Sequence, residues 1–185
     1  MTWSAIFLLA IALAADAFSI GATIGLTHRT ARQVFRVSFH FGLFQALMPL
    51  ASATIGTRIR PWVDPWGRYL AFALLLFVGV RMAVSSFDVK HREDAAQTVD
   101  LTKGWNLIGL SVSVSIDALL AGFVLGLHGS LILSAVSIIG AVTFVLTMVG
   151  MLLARSVGSR IGTRSELIAG FVLVALGVDA LLGGF

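Results

Sequence analysis

Two stretches of 24 residues decide the architecture: WSAIFLLAIALAADAFSIGATIGL at 3–26 and GWNLIGLSVSVSIDALLAGFVLGL at 104–127. Each carries a single carboxylate near its middle, Asp16 in the first and Asp117 in the second. From Met1 to Thr27 the only formally charged side chain is Asp16, and between Lys103 and Arg155 it is Asp117. A hydrocarbon core about 30 Å thick takes about 20 apolar residues per helix, so both stretches read as membrane spans.

The rest of the chain has the same character. Of 185 residues 58% are hydrophobic and only 12% charged, with a mean hydropathy of +0.98. A soluble domain carries about twice that charged fraction. Further spans are expected at 37–57, 67–87, 131–154 and 165–185, giving six in all. A loop with Arg58, Arg60, Pro61, Asp64 and Pro65 is expected after the second, and basic turns after the first and fifth. The one long polar segment, Asp88 to Lys103, reads as a linker between two three-span halves, 1–87 and 104–185. The first span lacks a basic leader and holds an aspartate, so it is not expected to be a cleaved signal peptide. The chain has no cysteine, which excludes disulfides, zinc–thiolate sites and thiol catalysis. The sequence pI of 10.7 would suit a nucleic-acid partner, but the arginines sit at span ends, where topology explains them. One side holds Arg29, Arg32, Arg36, Lys90, Arg92, Lys103, Arg155, Arg160 and Arg164; the other holds Arg58, Arg60 and Arg68. The richer side is expected to be cytoplasmic, with both termini outside.

The halves repeat. Ala15-Asp16-Ala17 matches Ile116-Asp117-Ala118, and Gly21 and Gly25 match Gly122 and Gly126, all at an offset of 101 residues. Gly56-Thr57-Arg58-Ile59 is answered by Gly158-Ser159-Arg160-Ile161, and Gly79-Val80-Arg81 by Gly177-Val178-Asp179. Three spans per unit put the second unit upside down relative to the first. Inverted repeats are a transporter architecture with the binding site at the repeat interface near the midplane.

An aspartate at the centre of a spanning helix costs about 2.5–3.5 kcal/mol on insertion scales, so the pair is the first functional candidate. Inverted symmetry would bring Asp16 and Asp117 to nearly one depth. Two such carboxylates repel unless one takes a proton or a cation sits between them; a site for a divalent cation, coupled to proton exchange, follows. Its further oxygens are expected from Ser19 and Ser113, each one turn from an aspartate, from Gln45 near the middle of span two, and from Thr147, the counterpart of Gln45 in span five. Pro49 frees the main-chain carbonyl of Gln45 as well. Hydroxyls at such positions are also ordinary packing groups. An all-oxygen set favours a hard cation such as Mn²⁺, Mg²⁺ or Ca²⁺. Gating or pathway roles fall to Arg81, Asp179 and His40. Arg81 is expected to snorkel to the inner interface, and a direct Arg81–Asp179 pair is disfavoured by a depth difference of about 12 Å at 1.5 Å per residue. His28, His91 and His128 read as solvated turn residues.

Asp16-Ala17-Phe18, the run Phe41-Gly42-Leu43-Phe44-Gln45-Ala46-Leu47-Met48-Pro49, and Ser115-Ile116-Asp117-Ala118 resemble the signature segments of the bacterial MntP-type manganese exporters, and the resemblance covers essentially the whole chain. It implies efflux of Mn²⁺ from the cytoplasm across the inner membrane, with Asp16 and Asp117 as transport carboxylates and no tightly bound cofactor. Span six departs from the family pattern at Asp179, where members often carry a lysine or an amide. Rival readings are an exporter of another divalent cation or of a small amino acid, and an intramembrane aspartyl protease. An amino-acid carboxylate would need a helix-end anion site, and the protease would need a Gly-x-Gly-Asp motif, which neither aspartate has.

Overall fold

The computed structural model describes residues 2–28, 30–85, 100–128 and 131–182. Among them the regular structure is helical: α1 (Trp3–Gly25), α2 (Ala31–Val63), a 3₁₀ turn (Asp64–Trp66), α3 (Gly67–Ser85), α4 (Gly104–Val114), α5 (Ile116–His128) and α6 (Ile132–Leu182). Runs of Leu, Ile, Val, Ala and Phe supply helices apolar on most sides, as an integral membrane protein requires. Thr2 caps α1 by accepting the Ala5 amide at 3.3 Å.

Among the described residues five helical segments are long and apolar enough to cross a membrane, and α4 with α5, bent by 44° at Ser115, makes a sixth when the pair is counted as one span. α6 carries two of them, Ile132–Ala154 and Arg164–Leu182. Leu146 of the first and Ser165 of the second line one cavity against α1, so the two lie side by side along α1. The basic turn expected between them is helical in conformation instead. Two more boundaries differ from expectation. α2 runs through both Pro49 and Pro61 to Val63, absorbing most of the expected loop. The span expected to run unbroken from 104 to 127 is two helices. The local sequence weakens the helix there without dictating a break: Ser111-Val112-Ser113-Val114-Ser115-Ile116 alternates serines with stiff β-branched side chains, both poorer helix formers than alanine or leucine. Of the expected linker, 88–99 lie outside the described residues.

Close packing rests on glycine. A Cβ at Gly122 would stand 2.2 Å from Pro49 Cα, and one at Gly25 would stand 2.4 Å from the Met151 carbonyl oxygen. α5 is thereby seated on α2, and α1 on α6. Two contacts are reciprocal: a Cβ on Gly42 or Gly140 would meet the other's carbonyl oxygen, and so would one on Gly79 or Gly170. α2 lies between α5 and α6, while α3 packs on α6 and touches α5 more lightly. The four tryptophans, Trp3, Trp62, Trp66 and Trp105, are all exposed at span ends, the interfacial positions that amphipathic rings favour.

Candidate functional site

Gln45 fixes the level of the site. It is fully buried on α2, and its Nε2 donates to the Leu13 carbonyl of α1 at 3.2 Å. Asp16 follows Leu13 by three residues, a rise of about 4.5 Å. On the other flank Pro49 and Ala53 of α2 abut Gly122 and Gly126 of α5, so the two helices run in the same direction. Asp117 stands five residues before Gly122 and Gln45 four before Pro49, which sets them within about 2 Å in depth. The two carboxylates therefore lie within about one helical turn of each other in depth, on either side of Gln45. Both are buried, Asp16 at 9% and Asp117 at 5% exposure.

Their backbones differ. Asp16 sits inside an unbroken helix among buried Ala12, Leu13, Ala14, Ala15 and Ala17. Asp117 occupies the first turn of α5, just past Ser115, whose φ of −96° and ψ of 6° interrupt the helix. A helix N-terminus favours a negative side chain. Arg81 of α3 donates from Nη1 to Asp117 Oδ1. Arg81 thus turns to Asp117 and not, as expected, to the interface; the disfavoured pair with Asp179 is not formed. Asp179 is exposed and shares a cavity of about 440 Å³ with Thr2, Ser4 and Ala5.

Unpaired oxygens occur at and near this level, Ser38 lying about 10 Å from Gln45 along α2. Among the described residues, four buried side-chain polar atoms have no hydrogen-bond partner: Ser38 Oγ, Gln45 Oε1, Ser115 Oγ and Thr143 Oγ1. Leaving a buried polar atom unpaired costs about 1–3 kcal/mol, so such a group is what a cation-binding layer would hold in reserve. Thr143 lies three residues after Gly140, which abuts Gly42 and Ala46 beside Gln45. Among the described residues no three His, Cys, Asp or Glu side chains come together; what this level offers is carboxylate and neutral oxygen, the donor types that a hard divalent ion would take.

Not every expected ligand joins it. Ser113 is exposed, and the buried hydroxyl near Asp117 belongs to Ser115. Thr147 is buried but donates to the Thr143 carbonyl at 2.7 Å, leaving Thr143 as the hydroxyl without a partner. Ser19 is half-buried, and its carbonyl accepts from Thr23 Oγ1 at 3.1 Å. His40 donates from Nδ1 to the Arg36 carbonyl at 2.8 Å and meets Phe39 edge-on. His28 is more than a solvated turn residue: Nδ1 bonds Thr27 Oγ1 at 2.8 Å, and Nε2 stands 3.8 Å from Asp100. Two hydrogen bonds from Thr102, with Lys103 alongside, hold the Asp100 carboxyl well below the usual carboxylate range.

One acid escaped the sequence reading. Glu166 of α6 is only 2% exposed. Its neighbour Ser165 lines an apolar cavity of about 310 Å³ with Ala15 and Phe18, which places Glu166 near the level of Asp16. Following Arg164 at a span end, it reads in sequence as an interfacial charge; only the packing of α6 on α1 shows it to be internal.

Comparison with known proteins adds a further finding. The family model described as "Putative manganese efflux pump" matches residues 28–181. Proteins named "Putative manganese efflux pump MntP" are similar along nearly the whole chain. The one from Syntrophobacter fumaroxidans is 44% identical, covering 95% of this chain and 96% of its own. That from Nitratidesulfovibrio vulgaris is 42% identical, covering 93% and 87%, and that from Syntrophotalea carbinolica 39% identical, covering 95% and 94%. No solved structure matches.

Proposed function

The chain belongs to the manganese efflux pump family, and from that premise we propose that it exports Mn²⁺ from the bacterial cytoplasm across the inner membrane. The observation that carries the site assignment is the single layer that holds Asp16, Gln45 and Asp117. Two carboxylates neutralise a divalent ion, and Gln45 Oε1, Ser115 Oγ and Thr143 Oγ1 complete its oxygen shell in place of water. Mn²⁺ is the substrate and needs no resident cofactor. A proton is the natural replacement on the carboxylate pair once the metal leaves, because two vacant charges at this depth repel. Both termini outside and a cytoplasmic linker follow from the Lys and Arg count. The reading of 1–87 and 104–185 as inverted repeats is supported by the reciprocal contacts Gly42–Gly140 and Gly79–Gly170. It is supported too by the way α1 on α6 is answered by α5 on α2. Such a protein is a carrier and not an enzyme.

The test is complementation of a manganese-sensitive, exporter-deficient bacterium with the wild type, Asp16→Asn and Asp117→Asn. The wild type should restore growth under manganese stress and lower cellular manganese, and both variants should fail at normal membrane levels. Normal export by both variants would make the aspartates structural. A wild type that leaves manganese unchanged but lowers cadmium, calcium or an amino acid would move the substrate and leave the architecture.

A further inference from the structure

We propose that Arg81 is a displaceable counter-cation of the transport site, holding Asp117 when the metal is absent and driving the metal off when it returns. The proposal rests on the reading of Asp117 as a substrate ligand. The Arg81 guanidinium donates directly to a carboxylate oxygen of Asp117, so it occupies a coordination position that Mn²⁺ would need. Two cations on one buried carboxylate repel strongly, since a low dielectric screens them little; occupancy by metal and by guanidinium is mutually exclusive.

The geometry gives the guanidinium somewhere to go. Asp117 is enclosed, with an 8% accessible side chain, whereas that of Arg81 is 42% accessible. Breaking the pair therefore does not leave the guanidinium enclosed by protein. Arg81 stands four residues before Ser85 at the end of α3, a rise of about 6 Å. Its stem can carry the charge to the interface at that end, the snorkelled position the sequence suggests. Asp117 sits at the start of α5 beside the bend at Ser115, so its carboxylate is held at a joint and not mid-helix. The repeat position matching Arg81 is Asp179, exposed beside Thr2 and Ser4, so the device acts on Asp117 and the repeat supplies no counterpart for Asp16. A carrier that must release its ion gains from an internal competitor, which weakens binding and speeds discharge together.

The experiment uses the full chain in proteoliposomes loaded with a manganese-sensitive fluorophore, measuring KM and kcat for Mn²⁺. Arg81→Gln removes the competitor and should lower KM by about five- to tenfold, with kcat falling at least as much, in the range of ordinary coupling between sites. Guanidinium ion added to Arg81→Ala should raise both values back toward the wild type. A raised KM, or both constants unchanged, in Arg81→Gln would overturn the proposal, making Arg81 a support for Asp117 or an interfacial anchor. Should the glutamine variant not reach the membrane, Arg81→Lys decides. Its ammonium lacks the planar two-armed fork, so a KM below the wild type supports displacement and an equal or higher one refutes it. Failure of the underlying reading would show elsewhere, as a wild type that moves no manganese or an Asp117→Asn variant that moves it normally.

Discussion

The two aspartate regions carry nearly the same sequence motif and are built differently. Around Asp16 the neighbours are alanine and leucine and α1 runs 23 residues without interruption. Around Asp117 a serine–valine alternation ends α4 at Val114, the span bends by 44°, and the carboxylate meets Arg81. Position 14 is alanine where position 115 is serine, a single-residue difference at the break itself. One half thus presents its carboxylate from a continuous helix, the other from a joint and beside an arginine. Alternating access requires some element that can take two positions, and the Asp117 half supplies the better candidate.

The largest effect that could break this comparison concerns the seats of the two helices. Gly122→Val and Gly25→Val drive a side chain into backbone of α2 and α6 respectively, and each should destabilise by about 3 kcal/mol or more. Little folded protein should survive in detergent by size-exclusion chromatography. Gly109→Ala, with nothing within 4 Å of the added methyl, should behave as the wild type; equal sensitivity at all three sites would mean the close approaches do not hold the bundle. Next, a double-mutant cycle in thermal unfolding should give a coupling of about 1–2 kcal/mol for Arg81 with Asp117 and almost none for Arg81 with Asp16. Equal couplings would erase the asymmetry.

Ser115→Ala should make the second half resemble the first. Removing an unpaired hydroxyl and adding a better helix former should stabilise the apo protein by about 1 kcal/mol, while Mn²⁺ binding weakens severalfold. Tighter Mn²⁺ binding in this variant would exclude Ser115 as a ligand. The smallest effect belongs to Asp100, outside the membrane. Its depressed carboxyl contributes stability that is present above its unfolded pKa and lost only as pH falls below the ordinary carboxylate range. Export measured at pH 5.5 and 7.5 should therefore change by the same factor in the wild type and in Asp100→Asn.

Much of the candidate site could be read along the chain. Asp16 and Asp117 stood out because a charge inside a 20-residue apolar run is conspicuous in one dimension, and Gln45 because it lies near the middle of its span. The hydroxyls were harder. Ser113 and Ser115 differ by two residues and face opposite ways, and only the neighbours packed against this helix decide which of the two faces is buried. Thr147 and Thr143 share one helix face, and the choice between them turned on a hydrogen bond that satisfies Thr147.

The sequence by itself determined apolar stretches long enough for six spans, no thiol chemistry, and a lone acid near the middle of two of those stretches, because hydrophobic length and the cost of an intramembrane charge depend only on position along the chain. Only the tertiary structure decided that Arg81 turns inward to Asp117, that Glu166 is buried beside α1, and that the fourth span bends before its aspartate. Those outcomes depend on which helix lies alongside which: a long side chain reaches whatever carboxylate its neighbour presents, and a short break is kept or straightened by the packing around it.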